Sequence, residues 1–151
     1  MHVITSIDQA LGLVGHELGV SEWKDIDQNR IDAFAECTDD HQWIHVDVER
    51  AEAESQYGGT IAHGFLTLSL IPAMSKGNYR VDGKMGINYG LNRVRFLAAV
   101  RATSRIRVRS ELLDATKVAE DTLNLTVRHT VEIDGDDKPA AVADLISRYI
   151  F

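Results

Sequence analysis

Ten consecutive residues, Thr38 to Asp47, hold the carboxylates Asp39, Asp40 and Asp47 and the imidazoles His41 and His45. They flank Trp43-Ile44, a pair that needs burial. Ionisable groups beside buried residues cost free energy unless they pair, bind an ion or do chemistry. Ala62-His63-Gly64-Phe65 follows, setting a further imidazole and a glycine just before the most apolar run of the chain. A carboxylate and an imidazole within reach of one water can take a proton from it and deliver one elsewhere, each transfer being worth ~10²–10⁴ in rate. The amide of Gly64, if it opens a buried helix, is unpaired, lies at the positive end of the helix dipole and carries no obstructing side chain. It would suit a carbonyl oxygen that gains negative charge. Close packing alone would also account for a glycine there.

Two other chemistries fit less well. His41 and His45 have the His-x-x-x-His spacing of zinc hydrolases, but the catalytic glutamate of that motif is replaced by Gln42, which cannot accept a proton. No metal is expected. Cys37 has acids close in sequence that would raise its pKa, and no serine occupies a Gly-x-Ser-x-Gly elbow, so a nucleophilic triad is not indicated.

The elements around these residues must bring Asp40 and His45 together. On one continuous helix they would lie roughly 140° apart, so they can converge only across a turn. Ser6 caps a short helix with Gln9 in capping-box position. His16 to Trp23 reads as extended, and Asp27 caps a second helix, with Ile31, Phe34 and Ala35 as its apolar stripe, ending near Thr38. A short helix over about Asp47 to Ser55, capped by Asp47, leads to the Tyr57-Gly58-Gly59-Thr60 link. Gly64 to Lys76 then reads as a helix buried on nearly all sides, bent at Pro72 and stopped by Gly77. After Gly83 the apolar period becomes two. Ile87, Tyr89 and Leu91 alternate, and Val94 and Phe96 continue with shifted parity, which predicts a bulge near Asn92. Two further alternating strands follow, and the Asp134-Gly135 turn leads into a last strand over about Ala140 to Tyr149. Short turns between successive strands predict an antiparallel sheet with one wet face. The fold class is α+β: a curved antiparallel sheet wrapped around a long central helix.

A chain of 151 residues with 44% hydrophobic content fits a single domain, residues 1–151. A net charge of −7 and the absence of a basic tract argue against nucleic acid as a partner. One cysteine, no secretory signal pattern and no apolar run near ~18 residues predict a cytoplasmic protein without a membrane span.

Asp40-x-Gln42-Trp43-Ile44-His45 followed by Ile61-Ala62-His63-Gly64-Phe65 resembles the hydratase motif of the MaoC-like family, Asp-x-Asn-Pro-hydrophobic-His and a later His-Gly step. It is closer still to the NodN-type branch. Gln42 and Trp43 replace the commoner Asn-Pro, and Asp39 stands where Gly is usual. The resemblance implies the hot-dog fold and (R)-specific hydration of trans-2-enoyl-CoA to (R)-3-hydroxyacyl-CoA, a reaction of fatty acid metabolism, with dehydration as its reverse. It makes Asp40 and His45 the catalytic pair and the Gly64 N–H the oxyanion donor. Asp40 would return the proton to C2, although which of the two is base and which acid stays open because they titrate as a pair. Gln42, Trp43, His63 and Tyr57 become supporting or substrate-binding residues, His63 as a residue that holds the turn. No cofactor is implied, coenzyme A arriving as part of the substrate.

His129 falls on the apolar face of its strand and reads as a core histidine. Arg105, Arg107 and Arg109 could touch coenzyme A phosphates, but a solvated strand face explains them as well. Exposed sheet edges predict a homodimer with the site near its interface. Two rival functions share the fold, a thioesterase and a non-catalytic subunit that binds acyl thioesters.

Overall fold

In the computed structural model, which describes residues 1–151, a six-stranded antiparallel sheet curves around one helix. Asp27 caps α2 (Gln28–Thr38) by accepting from Arg30 N, and Ser6 caps α1 (Ile7–Gly12) by accepting from Gln9 N. The capping box is shifted: the Gln9 side chain bonds Thr5 N, one residue before Ser6. The short helices α3 (Trp43–Val46) and α4 (Val48–Glu54) precede the central helix α5 (Gly64–Met74).

The main sheet runs in the order β2 (Glu17–Val20), β6 (Arg105–Ala119), β7 (Thr122–Ile133), β8 (Ala141–Ile150), β5 (Met85–Phe96), and β3 (Lys24–Asp25) also pairs with β6. β1 (His2–Ile4) and β4 (Tyr79–Val81) make a separate parallel pair. Short turns between successive strands do not hold throughout, because β5 pairs with β8 and lies at the far end of the sheet from β6. The segment between β5 and β6 crosses the start of α5, where Ala62 N donates to Val100 O at 2.7 Å. That crossing brings the chain past Gly64.

β7 alternates strictly between half-buried and buried positions, as its period-two pattern requires. The parity change in β5 is real: its register against β8 shifts between Asn88 and Gly90 and again between Leu91 and Arg93. One core joins Ile31 of α2, Leu66 and Ile71 of α5 and the inward residues of β6, β7 and β8. A second joins Ile4, Ala10 and Leu18 to the other half of β6 and β7.

α5 is not buried on all sides. Leu66, Thr67 and Ile71 face the core, but Phe65 is 69% exposed and Ser69, Pro72 and Ala73 are open as well. β5, the edge strand beside it, exposes Ile87, Tyr89, Leu91 and Phe96. The apolar composition of this helix therefore exceeds what one chain can cover.

The expected core histidine is in place. His129 Nδ1 lies 3.0 Å from Ser110 Oγ, which also accepts from Asn78 Nδ2 at 2.8 Å. Burial pushes the His129 imidazole down to about 4, against a smaller upward pull from Asp144. The unfolded chain, with an imidazole near 6.5, binds a proton in this window that the folded protein does not. Stability is thus full above pH 6.5, falls as the pH drops toward 4 and levels off below it. The loss amounts to roughly 3 kcal/mol. Urea denaturation at neutral pH and at acid pH should show this fall, and His129→Gln should flatten it; an unchanged pH dependence in the variant would contradict the assignment.

Candidate active site

α2 ends at Asp39, whose φ of 58° and ψ of 21° place it in the left-handed region. A glycine is the usual residue in such a helix stop, and an aspartate tolerates it at a modest cost. The reversal releases Asp40 from the helix and allows α3, a single turn, to present His45 from the other side. Asp40 and His45 thus share no helix and meet across a bend, as their spacing demanded.

His45 is 7% exposed and tightly held. Its Nδ1 lies 2.6 Å from the carbonyl of Ile61, which can only accept, so Nδ1 carries the proton and Nε2 keeps its lone pair. Burial lowers the His45 pKa and the neighbouring His63 lowers it further, while the Ile61 carbonyl and Asp40 act in the opposite direction. The net downward shift keeps a neutral imidazole near pH 7. Its own backbone is fixed from α2: Gln28 Nε2 donates to His45 O at 2.7 Å and to Asp32 Oδ1 at 2.8 Å, and Gln28 Oε1 accepts from Thr60 Oγ1 at 2.5 Å.

The His63 ring stacks on that of His45, with centroids 3.8 Å apart, and Phe34 packs against it at a tilt, with centroids 5.0 Å apart. Its Nε2 lies 2.9 Å from the Asp40 carbonyl and 4.0 Å from Asp40 Oδ2, while its Nδ1 is buried without a partner. His63 therefore ties the Asp40 bend to the start of α5. One ligand atom each from Asp40, His45 and His63 lies within 4.8 Å of the others. Two hydrogen bonds of ordinary length to one water, at a tetrahedral angle, would span about 4.6 Å. The Asp40 side chain remains 55% exposed, so the cluster opens to solvent on that side.

Gly64 is the first residue of α5, where no intrahelical acceptor exists for its N–H. A Cβ at this position would come within 3.0 Å of the Phe96 ring, so close packing also demands glycine. The helix start lines a mainly apolar cleft of about 420 Å³ with Tyr57, Thr67, Ala98, Val100 and Lys138.

The other expected residues are less engaged. Gln42 is exposed and its side chain makes no capping hydrogen bond, while its backbone N–H approaches Asp40 Oδ1 at 3.4 Å. Trp43 is half-buried beneath Arg50, whose guanidinium lies 4.3 Å from the ring centroid. Like Asp40, His45 and His63, it lies outside the lining of the cleft that opens at Gly64. His41 pairs with Glu36 at 2.7 Å and is not part of the Asp40, His45 and His63 cluster. Gln28, Thr60, Phe34 and the Ile61 carbonyl escaped the sequence reading, since each acts across a separation in the chain that no local pattern marks.

The chain matches the MaoC like domain family over residues 10–133. It is 46% identical over 151 residues to 3-hydroxyacyl-thioester dehydratase Z of Mycobacterium tuberculosis, covering 99% of both chains. It is 49% identical over 136 residues to nodulation protein N of Rhizobium leguminosarum bv. viciae, covering 89% of this chain and 84% of that one. Among solved structures, the (R)-hydratase from A. caviae superposes with a TM-score of 0.69 at 22% identity, over 89% of this chain and 94% of that one. A curved antiparallel sheet around one helix, the bend that gathers Asp40, His45 and His63, and these matches together place the chain in the MaoC-like dehydratase family, on the hot-dog fold.

Proposed function

We propose that the protein is an (R)-specific hydratase of trans-2-enoyl-CoA, and in reverse a dehydratase of (R)-3-hydroxyacyl-CoA. The observation that carries this reading is the gathering of Asp40, His45 and His63, one ligand atom of each within 4.8 Å of the others, around a His45 whose Nδ1 is tied to the Ile61 carbonyl and whose Nε2 is therefore bare. The hydroxyacyl-thioester dehydratase among its relatives supports the substrate class. The (R) configuration and the coenzyme A carrier rest on the motif resemblance.

In the proposed cycle the thioester carbonyl lies at the start of α5 and accepts from Gly64 N–H, which draws negative charge toward the oxygen as C3 is attacked. His45 Nε2 takes one proton from the water while Asp40 accepts a hydrogen bond from the other. Hydroxide adds to C3, and the proton returns to C2 through the same pair on the same face. One water is consumed and both groups end as they began. His63 is a positioning residue that keeps the bend and the ring of His45 in register.

Catalysis by a thioesterase of the same fold would release free thiol. Loss of the enoyl absorbance of crotonyl-CoA without thiol release separates the two, and binding without turnover would mark a non-catalytic subunit. We further propose a homodimer. β5 is an unpaired edge whose Ile87, Tyr89 and Leu91 are about half exposed beside Phe65 of α5, and pairing with a second copy would bury this face next to the cleft.

Asp40→Asn and His45→Gln should each lower the hydration rate of crotonyl-CoA by at least ~100-fold with the fold retained by circular dichroism; near-normal turnover in either would refute its role. The shift of His45 below 6.5 places the acid limb of kcat/KM below that pH, because protonating Nε2 removes the base. A limb at or above 6.5 would contradict the neutral base. Leu91→Glu should convert a dimer into a monomer in light scattering, and an unaltered mass would move the interface elsewhere.

A further inference from the structure

An acidic protein that takes an acyl thioester of coenzyme A must offer its phosphates a cation somewhere along the path of the pantetheine arm. Four strand arginines are already committed to carboxylates, whereas Arg93 and Arg95 of β5 have no carboxylate partner but do not line the cleft. Arg105 pairs with Asp134, Arg107 with Glu132 at 2.6 Å, and Arg109 with Glu132 at 2.9 Å and Glu17 at 2.5 Å, with Arg105 and Arg107 also beside Trp23. Arg128 is tied to Asp144 at 2.8 Å. Arg101, next to the cleft, donates to the Gly58 carbonyl at 3.0 Å and so holds the glycine link.

The turn between β7 and β8 sorts its charges by face. Asp136 and Asp137 line an outer cleft with Trp23 and Arg107. Asp136 Oδ1 is further pinned by the backbone N–H of Lys138 at 2.9 Å. Lys138 instead lines the cleft of Gly64 and Thr67, and it is the single charged side chain there among mainly apolar neighbours. A lysine in the lining of a cleft whose other residues are mainly apolar suits a ligand with an uncharged arm and an anionic end.

We infer that Lys138 is the specificity residue for the phosphate of the pantetheine carrier, an inference that rests on reading this cleft as the thioester channel. The shared chemistry is a phosphate on pantetheine, which free coenzyme A and the prosthetic group of an acyl carrier protein both present. Lys138 touches no reacting atom, so it acts on binding and leaves the chemical step alone.

The test compares the wild type with Lys138→Gln and Lys138→Glu, both exposed changes. Affinity is measured by calorimetry with butyryl-CoA, which lacks the double bond and cannot be hydrated, with S-butyryl-pantetheine, which lacks phosphate, and with butyryl-acyl carrier protein. Turnover is measured with crotonyl-CoA and S-crotonyl-N-acetylcysteamine. Lys138→Gln should weaken butyryl-CoA by about three- to tenfold, as loss of one exposed charge-assisted contact does. Lys138→Glu should weaken it more, with kcat and the affinity of S-butyryl-pantetheine unchanged. Added salt should weaken wild-type binding of butyryl-CoA more than that of Lys138→Gln.

A loss confined to butyryl-acyl carrier protein would keep the phosphate contact and assign it to the protein-bound carrier. Equal loss on the phosphate-free thioester, no loss on any phosphate-bearing one, or no binding of any thioester by the wild type would overturn the inference. Lys138-dependent binding without hydration would retain it and overturn the hydratase reading.

Discussion

The hydrogen bond from His45 Nδ1 to the Ile61 carbonyl governs the chemistry available to this chain, because a carbonyl can only accept and so decides which ring nitrogen is bare. Ile61 is itself fixed twice: its N–H donates to Ile44 O at 3.0 Å, and it bridges to Arg101. The acceptor that sets the tautomer therefore belongs to the segment that leads into α5, and the one-turn helix that carries His45 is pinned to it from both neighbours. Gln28 adds a third constraint from α2. A rigid imidazole of known tautomer is the result, and it faces a carboxylate released by a left-handed residue at the end of another helix.

Burial and exposure divide the work inside the cluster. His45 and His63 are shielded, which lowers the proton affinity of His45 and keeps its lone pair available near neutrality. Asp40 is mostly open, so water can reach the site from its side. The two buried rings stack on each other, and Phe34 packs against that of His63. The apolar surplus of α5 and β5 lies beside the cleft, which both elements help to line through Gly64, Thr67 and Phe96.

Periodicity made much of this fold legible. The apolar run of α5, the alternation in β6 and β7, the parity change in β5 and the cap at Asp27 each follow from local chemistry. The need for a bend between Asp40 and His45 followed from helix geometry alone. Strand order did not, because local patterns contain no information on which edges meet, and β5 joined β8 across a crossover. The exposed flank of α5 was misread for a related reason: an apolar surface reads the same whether its partner is its own sheet or another chain. Gln28 and Thr60 lie 32 residues apart, and their contact exists only after α2 has docked on the chain before α5.

The central claim concerns one lone pair, and heteronuclear NMR of 15N-histidine-labelled protein reads it directly through the long-range couplings of each ring. At neutral pH the account predicts that the His45 ring is a neutral imidazole with its proton on Nδ1 and a pyridine-like Nε2 shift. An Nε2–H tautomer, or a ring already doubly protonated at that pH, would contradict it.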